Sequence, residues 1–84
     1  MEIKVLGPGC PNCHRLEKNT RAAVAGLGVD ATITKVSDMK EILAYDVFTT
    51  PGLVIDEQVV VSGRVPNQAE ITTLITTALA RADS

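Results

Sequence analysis

The chain has 84 residues, a formal net charge of −2 and only two aromatic side chains, Tyr45 and Phe48. That length suits one domain spanning residues 1–84 with a modest core, and with so few aromatics the core must be built from Val, Ile, Leu and Ala. No basic cluster offers nucleic acid or an anionic membrane a positive face, and no segment approaches the roughly 18 apolar residues of a membrane span.

Ile3 to Leu6 reads as a short apolar strand, broken by Gly7-Pro8-Gly9. Pro11 to Leu27 reads as a helix. Its apolar face carries Cys13, Leu16, Thr20, Ala23, Val24 and Leu27, with Arg15, Glu17, Lys18 and Arg21 largely off that face. Gly28 is a helix stop. Val29 to Val36 alternates, the signal of a strand. Asp38 and Glu41 form a capping box for a short helix with Ile42 and Leu43. After a break at Thr49-Thr50-Pro51-Gly52, Leu53 to Ile55 and Val59 to Ser62 read as a hairpin linked by Asp56-Glu57-Gln58. Asn67 and Glu70 make a second capping box, opening an amphipathic helix through Ile71, Leu74, Ile75, Ala78 and Leu79.

The order is β-α-β-α-β-β-α. A helix joins the first two strands, so they should lie parallel. The last two should be antiparallel. The expected fold class is α/β: a mixed four-stranded sheet with helices on both faces.

Cys10-Pro11-Asn12-Cys13 sits between a strand and a helix. Residues three apart on a first helical turn are close neighbours, so these thiols can close a small disulfide ring. Cys10 takes the N-cap and Pro11 the first helical position, where the missing N–H costs nothing. Free N–H groups and positive partial charge at the helix start favour a thiolate at Cys10. The thiolate is the attacking species in disulfide exchange. Cys13 falls on the apolar face and should be shielded.

Other readings stay open on the residues alone. The two cysteines can be unrelated. Zinc normally takes four ligands, and beyond Cys10, Cys13 and His14 there is no further Cys or His. Carboxylates or a second chain would have to complete the sphere. Cys10-Pro11-Asn12-Cys13-His14 also matches the C-x-x-C-H haem attachment pattern, with Met39 as the axial partner. Against haem stand the absence of an export signal and the hairpin in the second half. His14 reads as a solvated first-turn residue, or else as an electrostatic tuner of the thiols.

Three blocks carry a resemblance: Val5-Leu6-Gly7-Pro8-Gly9-Cys10-Pro11-Asn12-Cys13, Thr50-Pro51-Gly52-Leu53-Val54-Ile55-Asp56, and Val59-Val60-Val61-Ser62-Gly63-Arg64-Val65-Pro66. In this order the chain resembles the thioredoxin/glutaredoxin superfamily. It is most similar to the short thioredoxin-like redox-active disulfide proteins of archaea and bacteria. The resemblance implies a thioredoxin-like fold and thiol–disulfide exchange, with Cys10 as nucleophile and Cys13 as resolving thiol. It also implies a cis peptide before Pro51, which packs beside the disulfide, and a substrate segment hydrogen-bonded to the backbone at Thr50. Gly9, Pro11 and Asn12 would complete the substrate surface.

The chain departs from the superfamily pattern in places. Gly9 stands where thioredoxins proper have Trp. Lys4 stands where they have a buried acid six residues before the first cysteine. It reads as a solvent-seeking strand residue, or else as a cation that acidifies Cys13. Ser62-Gly63-Arg64-Val65-Pro66-Asn67 lacks the glutathione-binding features of glutaredoxins. Asp46 and Glu57 stand where relatives usually have Gly, so the turn at Glu57 should be strained or differently built.

The expected function is reduction or exchange of protein disulfides by a cytoplasmic monomer with no bound cofactor or metal. Its partners would be disulfide-containing protein substrates and a reductase or dithiol electron donor, with no nucleic acid and no membrane. The alternative is a dedicated electron-transfer or thiol-based metal-carrier module on the same fold.

Overall fold

Alternate residues of a strand point to opposite faces of a sheet, and this rule divides the core in two. In the computed structural model, which describes residues 1–82, the elements run β1 (Glu2–Leu6), α1 (Pro11–Leu27), β2 (Thr32–Val36), α2 (Met39–Ala44), β3 (Gly52–Ile55), β4 (Gln58–Ser62) and α3 (Gln68–Ala82). The last residues of the expected 1–84 domain, Asp83 and Ser84, lie outside the described residues. Ile3 and Val5 of β1 and Leu53 and Ile55 of β3 pack with Leu16 and Ala23 of α1 and Ile71 and Ile75 of α3. Leu6 and Val54 point the other way, to Val36, Ile42 and Val47 beneath α2. The sheet is therefore covered on both faces, as the alternation requires.

The strand order is β2-β1-β3-β4. β1 pairs parallel with β2, while β1–β3 and β3–β4 are antiparallel. β2 is shorter than its alternation suggests, beginning at Thr32 rather than Val29. The cause is its partner: Glu2, the first residue of β1, aligns with Thr32, so Val29 to Ala31 lie beyond the partner strand and meet the N-terminus, where Met1 N donates to Asp30 O at 3.3 Å. Val29 and Ala31 still pack against the larger core.

The helix ends follow local chemistry. Cys10 caps α1, Pro11 opens it, and Gly28 closes it at φ 65°, donating its N–H to Val24 O at 3.0 Å. Asp38 Oδ1 accepts from Lys40 N at 2.8 Å, and Asn67 Oδ1 accepts from Glu70 N at 2.8 Å. Both capping boxes are only half formed among the described residues: Asp38 caps Lys40 N with no return bond from Glu41, and Asn67 caps Glu70 N with none from Glu70. The Glu70 carboxylate turns to the Arg64 guanidinium, which grips it with both of its terminal nitrogens.

Candidate active site

The end of β1 delivers the chain to the start of α1, and the redox pair lies at that junction. Cys10 and Cys13 are joined in a disulfide, with Cα atoms 5.0 Å apart. Cys13 N donates to Cys10 Sγ at 3.2 Å, so the capping atom of α1 is itself one of the two disulfide sulfurs. The first turn of α1 holds no acidic side chain to offset the positive end of the helix. The two sulfurs differ in access. Cys10 is half-buried, while Cys13 is 5% exposed on the apolar face of α1.

Gly7 is a site residue that the sequence presents only as a strand break. A Cβ added there would overlap Cys13 Sγ. The absence of a side chain at Gly7 lets the buried sulfur lie against the backbone. The signal was a glycine one residue beyond the strand and six before Cys13, but only the fold shows which atom approaches it.

Leu6 aligns with Gly52, so β3 starts beside the end of β1 and brings Thr50-Pro51 to the same edge as the Gly7–Cys10 turn. The Thr50–Pro51 peptide is cis. Pro51 is buried, Thr50 is half-buried, and Gly63 N donates to Pro51 O at 2.9 Å. Gly9, Pro11, Asn12 and His14 are exposed around the disulfide.

Behind Cys13 is a pocket of about 250 Å³, lined among others by Val5, Gly7, His14, Glu17 and Lys35. Glu17 does not stand clear of the buried side of α1: its side chain is only 16% exposed. Its carboxylate meets Arg21 at 3.0 Å and Lys35 at 3.5 Å. Burial pushes the Glu17 carboxyl up, but the Arg21 hydrogen bond and the charges of Lys35 and Arg21 outweigh it. The group lies below its usual value and is ionised.

Lys4 belongs to a different cluster. It is not a free, solvent-seeking side chain: Nζ donates to Tyr45 Oη at 2.7 Å and to Glu57 Oε1 at 2.7 Å. Tyr45 Oη in turn donates to Glu57 Oε2 at 3.0 Å. Strand alternation turns Lys4 away from Val5, and Val5 lines the Cys13 pocket. The Glu57 and Tyr45 hydrogen bonds raise Lys4 above its ordinary 10.5, and the Lys4 bond draws Glu57 below its ordinary 4.5. Asp56 and Glu57 both have positive φ, 47° and 68°. The hairpin thus turns on two residues in the left-handed region, the pattern of a type I′ turn.

Comparison with known proteins agrees with this geometry. A family model described as "Thioredoxin domain" matches residues 1–76. A protein named Thioredoxin from Methanothermobacter thermautotrophicus is 44% identical over 71 residues, covering 84% of this chain and 92% of that protein. A Thioredoxin from Methanocaldococcus jannaschii is 44% identical over 69 residues, covering 82% of this chain and 79% of that protein. With a four-stranded mixed sheet and a Cys10–Cys13 disulfide at the head of α1, the chain belongs to the thioredoxin family and is a thiol–disulfide oxidoreductase.

Proposed function

We propose that the protein reduces disulfides of protein substrates, with Cys10 as nucleophile and Cys13 as resolving thiol. The observation that carries this reading is the unequal burial of the two sulfurs at one helix N-terminus. In the reduced protein the Cys10 thiolate attacks a substrate disulfide. One substrate sulfur leaves with the electron pair, and the other becomes bonded to Cys10. Cys13 then loses its proton and attacks Cys10 Sγ. The second substrate sulfur departs, and the Cys10–Cys13 disulfide forms. The substrate gains two electrons and the protein loses two. A reductase or dithiol donor must return them. Both electrons travel on sulfur, so the step needs no cofactor or metal bound to this chain.

The substrate would lie over exposed Gly9, Pro11 and Asn12, against the edge formed by Thr50 and Pro51. Gly9 adds no side chain to obstruct it. Among the described residues, no helix is long and apolar enough to cross a membrane. The proposed setting is a monomer acting on protein disulfides in the cytoplasm, as the likeness to thioredoxins suggests.

The test is trapping. Cys13→Ser should accumulate a stable mixed disulfide with insulin or another protein substrate, and Cys10→Ser should trap little. Iodoacetamide should modify Cys10 of the reduced protein first, with an apparent pKa below the free-cysteine value because the helix N-terminus favours the thiolate. Equal labelling, or efficient trapping through Cys13, would overturn the assignment. A wild type that fails to reduce insulin yet holds one metal per chain when reduced would favour the metal-carrier alternative.

A further inference from the structure

Resolution needs a proton to leave Cys13, a side chain only 5% exposed. Direct access for hydroxide is poor, so the proton leaves more readily to an acceptor close at hand. A pocket open to solvent beside Cys13 has room for one. Its roughly 250 Å³ is many times the volume needed to hold a water. Glu17 lies one helical turn along α1 from Cys13 and lines the same pocket. Side chains four apart on a helix are neighbours, with Cβ atoms about 5–6 Å apart, a gap that one water can bridge.

We propose that Glu17 accepts the Cys13 proton through pocket water when Cys13 resolves the mixed disulfide. This rests on the roles given above to Cys10 and Cys13. The S–H proton passes to a water, which passes one to the Glu17 carboxylate. The Cys13 sulfur attacks Cys10 Sγ, the bond from Cys10 to the substrate sulfur breaks, and that sulfur leaves with the electron pair. Glu17 then returns its proton to solvent.

The other charged groups fit around this role. Arg21 on α1 and Lys35 on β2 bind the Glu17 carboxylate and keep it in the accepting form. The Lys35 ammonium can only donate, and its charge in the same pocket favours the thiolate forming at Cys13. His14, also on α1, is exposed and lines the pocket too, so it is the control.

The experiment is stopped-flow reaction of the reduced protein with 5,5′-dithiobis(2-nitrobenzoate). The first thionitrobenzoate released reports attack by Cys10, and the second reports resolution by Cys13. Glu17→Gln should leave the first phase unchanged and slow the second by at least about tenfold at neutral pH, toward the roughly 100-fold of a positioned base. The pH midpoint of the second phase should move up. Glu17→Asp should recover part of the rate, and His14→Gln, which removes the rival acceptor in the pocket, should not reproduce the selective second-phase loss of Glu17→Gln. An unchanged second phase in Glu17→Gln would overturn the proposal. So would a faster one with its midpoint moved down, because the carboxylate would then only repel the thiolate. Loss of the second phase in His14→Gln instead would also overturn it. Failure of the wild type to show the first phase would refute the Cys10 assignment itself, a separate outcome.

Discussion

The two ends of the sheet solve the same problem in opposite ways. At one end, β1 turns into α1 through Gly7-Pro8-Gly9. At the other, β3 turns into β4 through Asp56-Glu57. The first turn has no side chain at Gly7, where the Cys13 sulfur must fit. The second places side chains in backbone conformations that glycine adopts most readily, and then uses them. Asp56 Oδ1 accepts from Glu2 N at 2.8 Å, and Glu57 is gripped by Lys4 and Tyr45. Glycine marks the end where space serves the chemistry. Carboxylates mark the end where binding partners offset a crowded backbone.

The largest expected effects are at the active end. Cys10→Ser should lower insulin reduction by at least about a hundredfold, the scale of losing a positioned reacting group. The far-ultraviolet spectrum should stay native, since Ser also caps helices well. Retention of more than a tenth of the activity would mean that the end without side chains is not where exchange begins.

Gly7→Ala should come next. The new methyl group would overlap Cys13 Sγ, and overpacking of this kind costs about 1–3 kcal/mol. In a domain of this size that lowers Tm by roughly 4–8 °C per kcal/mol. Thermal melts of the oxidised protein should show it. The matching substitution Gly9→Ala meets nothing within 4 Å, although Gly9 has φ 97°. Its cost is backbone strain alone. An equal Tm loss for Gly7→Ala made in a Cys13→Ala background, where the sulfur is absent, would show that the penalty at Gly7 is not contact with that atom.

Much of this architecture is legible in the sequence, for reasons that the two ends illustrate. Periodicity exposes the apolar face of α1 because Cys13, Leu16, Thr20 and Ala23 all pack inward. The N-cap cysteine and first-turn proline are legible because they answer to local backbone geometry. Long-range partners are not. Nothing local to Gly7 says that a sulfur six residues later folds back onto it. Glu17 looks exposed beside Arg15, Lys18 and Arg21, and only the approach of β2 brings Lys35 over it. Lys4, Tyr45 and Glu57 are far apart in the chain, and their union depends on β1 lying between β2 and β3. The start of β2 is missed for the same reason, since a strand ends where its neighbour does.

At the hairpin end, Lys4→Met should lower stability and leave exchange within about a factor of three, because a positioned acid–base group usually contributes roughly 100-fold. The stability gap has a defined pH window. Glu57 has a lowered folded pKa, so its contribution is present above its ordinary 4.5 and is lost as pH falls through the folded value. Lys4 has a raised folded pKa, so its contribution is present below 10.5 and is lost as pH rises through the folded value. Urea melts should show the widest gap between wild type and Lys4→Met from about pH 5 to 10, closing in acid. A gap that does not narrow as the pH is lowered from 4.5 until the carboxylate is protonated would make the effect one of packing by the lysine stem. A hundredfold loss of exchange would couple the two ends of the sheet.

The smallest effect should come from Glu57→Gly, where two changes oppose each other. Glycine adopts φ 68° without the steric penalty that a Cβ brings, which favours the variant. The same substitution removes the carboxylate from Lys4 Nζ and Tyr45 Oη, which disfavours it. Glycine also widens the unfolded ensemble, a further small loss. In the wild-type background Tm should therefore move by less than about 4 °C. In a Lys4→Met, Tyr45→Phe background the carboxylate has no partner left among the described residues, so only the backbone terms remain. There Glu57→Gly should be more favourable than in wild type, and the difference between the two backgrounds measures how far the bound carboxylate offsets its own crowded backbone. Equal shifts in both would show that Glu57 is held in the turn by the strands alone, and that the carboxylate contacts contribute nothing to its stability.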